Sequence, residues 1–177
     1  MGDGLEGLDA WVARQRADDA IEARARAGWL RRQAEEEATW LGVLRDLIGD
    51  EVTLATAAAR TWHGIIVDVG VGYLAIEWPR HRLLARPDAV AWVKLNVRRR
   101  PPTGDQCPQD NDLALALTRE LHEEPAVTLW FGAGAEPMRG HLVGVSREVV
   151  TVRPAHGPAT VVARLQSVSE VLLATSG

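Results

Sequence analysis

The residues best equipped for chemistry in this 177-residue chain are cations set beside tryptophans. Arg80-His81-Arg82 is followed by Arg86, and Arg98-Arg99-Arg100 comes further on. Guanidinium groups neutralise phosphates. Indoles such as those of Trp78 and Trp92 stack on bases. That combination is the chemistry of a nucleic-acid surface. A solvated loop and a solubilising linker explain the same residues, because base readout also needs aromatics placed in space, which spacing alone does not supply.

Other constellations are thin. The histidines His63, His81, His122, His141 and His156 make no i, i+4 helical pair and no Cys/His spacing typical of zinc, so no metal site is expected. Cys107 lies in a proline-flanked stretch without an adjacent histidine and reads as an incidental thiol. Gly70-Val71-Gly72 and Gly132-Ala133-Gly134 fall between predicted strands rather than opening a helix, so they read as hairpin turns and not as nucleotide loops. No Ser-His-Asp, Cys-His or paired-carboxylate set stands out. The expectation is therefore a non-enzyme with no catalytic residues, no cofactor and no small-molecule substrate.

The elements that must position these residues come as a repeat. Val52-Thr53-Leu54 returns as Val127-Thr128-Leu129, and Gly64-Ile65-Ile66-Val67-Asp68-Val69 as Gly140-His141-Leu142-Val143-Gly144-Val145. The offset grows from 75 (Val52 to Val127) to 76 (Gly64 to Gly140) to 78 (Val90 to Val168), as small loop insertions would produce. Period-two stretches rich in β-branched residues predict strands near 52–56, 62–69, 72–79, 81–86 and 91–97, then near 127–131, 139–145, 148–154, 159–164 and 169–174. A short helix is predicted at about 110–122, with Leu113, Leu117 and Leu121 along one side.

Residues 7–48 hold no proline and are dominated by Ala, Arg, Glu and Leu, which predicts a long N-terminal helix. Trp40, Leu41, Leu44, Leu47 and Ile48 form a dense apolar stripe suited to docking on the first β unit. Leu5, Leu8, Trp11, Val12, Ile21 and Trp29 are too sparse to cover a core, so they are expected to meet a protein partner or a second copy. The chain uses seven tryptophans against one Phe and one Tyr. Trp62, Trp78, Trp92 and Trp130 on strands fit core filling. Trp11 and Trp29 fit interface anchors.

The net charge of −4 is segregated: residues 1–50 hold 7 Arg against 11 acids, 51–100 hold 8 Lys+Arg against 4 acids, 101–125 hold 1 Arg against 6 acids, and 126–177 hold 4 Arg against 3 acids. A basic first unit with acidic flanks suits a polyanion or a self-complementary contact. The single cysteine excludes an intramolecular disulfide framework and suits a reducing cytosol. The N-terminus lacks the basic and apolar regions of a signal peptide, and no apolar run approaches the ~20 residues of a membrane span. A cytoplasmic protein without membrane contact is expected.

A helix followed by five short, bent strands resembles the Sm-like (LSm) small-barrel superfamily. Gly64, Ile66, Val69 and Tyr73 match the family's glycine and apolar spacing, as do Gly140, Leu142, Val145 and Val149. Leu84-Ala85-Arg86-Pro87-Asp88-Ala89-Val90 is similar to its second motif, while Val162-Ala163-Arg164-Leu165-Gln166-Ser167-Val168 keeps only the arginine. The resemblance spans about residues 40–97 and 110–174. It implies an α+β fold, a long N-terminal helix followed by two Sm-like five-stranded β-barrels, each preceded by a helix. The organisation expected is 1–50 helix, 51–98 first barrel, 99–109 linker and 110–177 helix plus second barrel. RNA-binding members carry an Asp in the turn and a base-holding Asn at the start of the third strand. Gly70 and Leu74 stand there in the first unit, Ser146 and Val150 in the second. The resemblance thus implies that the family's base pocket is lost and that only Arg86 and Arg164 of its polar set remain. The function expected is a non-enzymatic interaction and assembly module. The alternative is an RNA- or DNA-binding regulatory protein using the basic first barrel.

Overall fold

The computed structural model describes residues 39–96, 111–121, 124–132 and 134–174. All belong to one unit, Thr39–Gly177. The N-terminal anchors Leu5 to Trp29, Arg98 at the end of the expected first barrel, the linker 99–109 with Arg99, Arg100 and Cys107, and the residue His122 lie outside the described residues.

The strands form where the two-residue period predicts them, each end within two residues of expectation. They are β1 (Glu51–Thr56), β2 (Thr61–Val69), β3 (Leu74–Trp78), β4 (His81–Ala85) and β5 (Val90–Leu95), then β6 (Ala126–Trp130), β7 (Met138–Val145), β8 (Val149–Pro154), β9 (Val161–Arg164) and β10 (Glu170–Ala174). Each set follows a seven-residue helix, α1 (Trp40–Asp46) and α2 (Leu113–Arg119). The caps correspond: the Thr39 hydroxyl accepts from the Gly42 amide at 3.1 Å, and the Asp112 carboxylate accepts from the Leu115 amide at 2.8 Å.

The expected architecture, a long N-terminal helix ahead of two five-stranded barrels, is corrected here. The described chain is mostly one antiparallel sheet of ten strands, ordered β5-β1-β2-β3-β4-β10-β6-β7-β8-β9, with two short α-helices. The internal order of the first five strands recurs in the second five. The two sets are fused because β4 pairs with β10, from Ala85 opposite Glu170 to His81 opposite Ala174. A strand edge presents a row of unmet N–H and C=O groups, and here each set satisfies one edge of the other.

The repeat has a physical basis in its glycines. A Cβ on Gly64 would come within 2.5 Å of the Glu77 carbonyl oxygen, and one on Gly140 would overlap the carbonyl of Arg153. Each glycine lets the next strand close in. A register shift follows at the same place in both sets, between Ile66 and Asp68 and between Leu142 and Gly144. Such bulges bend a strand and tighten its twist.

Two cores lie on opposite faces of the middle strands. Leu74, Ile76 and Leu83 join Leu44, Leu47, Val52, Leu54 and Ile66 in one. Tyr73, Ala75 and Leu84 join Leu113, Leu117, Leu129, Leu142, Val150 and Val171 in the other. β3 and β4 are thus buried on both faces, with alternate side chains entering different cores. Leu44 and Leu47 dock as the stripe predicts, but Trp40 and Ile48 stay exposed. No helix among the described residues is long and apolar enough to cross a membrane.

Candidate functional site

The joint between β4 and β10 gathers a tight set of polar contacts among the described residues. Glu170 is fully buried and accepts from Arg60 Nε at 2.8 Å and Nη2 at 2.9 Å. Trp62 Nε1 donates to the same carboxylate at 3.2 Å. Trp130 closes the group, edge-on to Trp62 at 5.3 Å between ring centres and 5.4 Å from the Arg60 guanidinium. A carboxylate in so dry a place needs this full set of donors. The joint is sealed further by the Arg86 amide, which donates to the Ser169 carbonyl at 2.9 Å, and by Arg86 Nη1, which donates to the Gln166 carbonyl at 2.8 Å.

Two cavities flank the joint. The larger, about 370 Å³, is lined by Arg86, Arg147 and Arg164 together with Asp112 and Glu148, so both strand sets contribute. The smaller, about 60 Å³, lies under α2 beside Asp68, Tyr73, Arg82 and Glu120. There the Tyr73 hydroxyl donates to the Asp68 carboxylate. Burial, reinforced by that anion, pushes the Tyr73 phenol up to about 12.

The cationic cluster read from the sequence is split up. Arg82 lies near the start of β4 and Arg86 just past its end, and both are engaged. Arg82 Nη1 donates to Glu120 at 2.5 Å. The Glu77 carboxylate lies 2.7 Å from Arg82 Nε without forming a hydrogen bond to it. Arg86 makes a two-point pair with Asp88, at 3.0 and 2.8 Å, and this holds the Asp88 carboxyl below its usual range. Arg80 is exposed in the β3–β4 turn with a left-handed backbone, φ 65°. His81 stacks on Trp78 at 5.5 Å and shares a 3.2 Å hydrogen bond with the Pro79 carbonyl. Trp78 stacks in turn on Trp62, while Trp92 stands exposed on the outer strand β5.

Sequence reasoning missed Arg147 as a partner of Arg86 and Arg164, and it missed the Arg60–Glu170 pair. The signal for the pair was Glu170 itself, the lone charge in the mostly apolar stretch Val168 to Leu173, at the position where the first set has Trp92. Among the described residues, no group of three or more His, Cys, Asp or Glu is placed to hold a metal ion. In comparisons with known proteins, no family model matches the chain and no curated protein matches it.

Proposed function

We propose that this chain is a non-enzymatic interaction and assembly module whose sheet ends take other protein chains. The observation that carries this reading is a set of counterparts with opposite exposure. Leu84, Leu113 and Glu170 line the joint within the chain at 2%, 7% and 0% exposure. Their repeat counterparts at the sheet's outer ends are Val162 at 63%, Trp40 at 41% and Trp92 at 47%. An exposed tryptophan on an outer strand is the usual form of an interface anchor. Outer strands that have no partner on one side among the described residues are also templates for strand addition. The repeated order of helix and five strands, with its matched glycines, supports kinship with the Sm-like superfamily. A reducing cytoplasm suits the lone cysteine. Leu5, Leu8, Trp11, Val12, Ile21 and Trp29 would add a second partner surface.

The test is native mass measurement of the intact chain and of a variant lacking residues 1–33, with a pull-down that identifies bound protein and nucleic acid. Association through the sheet ends survives the truncation, whereas association through the N-terminal segment is lost. A chain that remains monomeric and holds no protein would overturn the reading.

A second reading, RNA or DNA binding, is favoured by the cavity where Arg86, Arg147 and Arg164 converge. It ranks lower because Asp88 already neutralises Arg86, and because Asp112 and Glu148 share that cavity. Sub-micromolar nucleic-acid binding with a steep loss on adding salt would reverse the ranking. Arg147 and Arg164 would then act together, whereas Arg80 lies at the other end of β4.

A further inference from the structure

We infer that the sheet face carrying Trp62, Trp78 and Trp130 docks an acidic, proline-rich segment of a partner protein. This rests on the assembly reading above and gives one partner a chemistry. The contact uses side chains on a face of the sheet and leaves the strand edges at its outer ends untouched.

Four rings form a row that crosses the joint between the strand sets. The ring of His81 on β4 lies 5.5 Å from that of Trp78 on β3, and Trp78 lies 5.9 Å from Trp62 on β2. Trp62 lies 5.3 Å from Trp130 on β6. All four are half-buried, so each keeps part of its surface in water. Trp62 Nε1 is taken by Glu170. The N–H groups of Trp78 and Trp130 have no acceptor among the described residues, and neither is sealed from solvent. Two indole donors are therefore open beside a partly exposed aromatic surface.

Strand register places cations beside the row. Trp130 lies opposite Glu170, and two residues before it Thr128 lies opposite Arg139. His141, two beyond Arg139, lies opposite Arg153. Alternate residues of a strand share a face, so Arg139, His141 and Arg153 stand on the same face as Trp130. The acids brought there are already paired, Glu170 with Arg60 and Glu124 with Arg153. Arg139 is exposed and has no carboxylate partner among the described residues. At the row's other end, Arg80 precedes His81 in the β3–β4 turn, also exposed and also without such a partner. Its φ of 65° is a left-handed backbone that favours glycine. An arginine kept there, exposed and unpaired, serves a contact rather than the fold.

This chemistry selects the occupant. The open groups are donors: two indole N–H groups and two guanidinium groups. A surface of donors suits a chain of acceptors. Proline has a carbonyl but no N–H, and a polyproline II helix leaves its carbonyls free. Its rings pack on aromatic side chains, as in other aromatic-lined peptide grooves. Acidic residues in the segment complement Arg80 and Arg139. A carbohydrate would need acceptors for its hydroxyl groups, and a nucleic acid would need more than two free cations.

The test titrates the full-length chain into a fluorescein-labelled peptide of Glu-Pro-Pro repeats and reads anisotropy. Peptides of Glu-Gly-Gly and Lys-Pro-Pro repeats and a single-stranded oligo-dT serve as comparisons. The Glu-Pro-Pro peptide should bind with a Kd below about 100 μM, the scale of a transient contact. Both comparison peptides should bind more weakly. Arg139→Ala should weaken binding about fivefold, the upper worth of an exposed ion pair. Trp78→Phe keeps a ring and removes the donor, and should weaken it about threefold. Arg80→Gly should weaken it as Arg139→Ala does, without lowering the melting temperature, because glycine adopts that backbone freely. An arginine needed only by the fold would lower the melting temperature and leave affinity unchanged. Thermal melts show that each variant folds. Failure of the Glu-Pro-Pro peptide to bind, equal binding of Glu-Gly-Gly, or binding that none of the three variants weakens overturns the inference. Oligo-dT bound in place of the peptide, and lost in the same variants, overturns it and assigns the face to nucleic acid. The assembly reading is decided separately, by whether the intact chain associates or holds a protein in the pull-down.

Discussion

Glu170, without exposed surface on β10, is gripped at two points by Arg60, 110 residues earlier in the chain and just ahead of β2. The pair ties the two strand sets across their shared joint. Removing one partner leaves a buried charge whose hydration is gone. Arg60→Ala is therefore expected to cost about 3 kcal/mol, more than a surface ion pair contributes. Equilibrium denaturation measures it. A change below about 0.5 kcal/mol would show that water enters to replace the guanidinium.

Leu84 and Val162 are counterparts in sequence but not in surroundings. Leu84→Ala opens space in the core shared by β4, α2 and the second strand set, so a loss of about 2–5 kcal/mol is expected. Val162→Ala, measured where the chain is monomeric, should stay within about 0.5 kcal/mol. Equal losses at the two positions would mean that β9 is covered within the monomer.

Gly64 and Gly140 should respond alike. In each, an added methyl meets a carbonyl of the neighbouring strand, and backbone cannot swing aside as a side chain can. Gly64→Ala and Gly140→Ala should each destabilise by about 1–3 kcal/mol, as overpacking does. Thermal melts of the two variants decide, and a neutral result at either position would contradict the close approach there.

Tyr73 is the chain's only tyrosine, so its phenolate absorbance reports a single site. Its folded value of about 12 lies above the ordinary value of about 10. The folded state therefore holds the proton more tightly than the unfolded state does. Stability from this group is complete below about pH 10 and declines as pH rises towards 12, by roughly 2–3 kcal/mol in all. Half-titration of the folded protein near pH 10 would refute the buried Tyr73–Asp68 contact.

The sequence by itself determined the strands and the duplication. These depend on local signals: the two-residue alternation and the glycines Gly64 and Gly140 that recur with it. What it left open is which strand meets which at the set boundaries. Leu83-Leu84-Ala85 is apolar whether β4 closes a barrel of its own or joins β10, because strand period records burial and not the identity of the neighbour. Only the tertiary structure put Leu83 and Leu84 into separate cores. The same holds for the cations. Spacing along the chain grouped Arg80, His81, Arg82 and Arg86, but partners distant in sequence settled their surroundings. Glu120 is brought to Arg82 by α2 and the Gln166 carbonyl to Arg86 by the β9–β10 turn, and neither is visible from local charge. Long-range pairing follows from closing the whole sheet, where each edge must find backbone partners, and no window of sequence contains that condition.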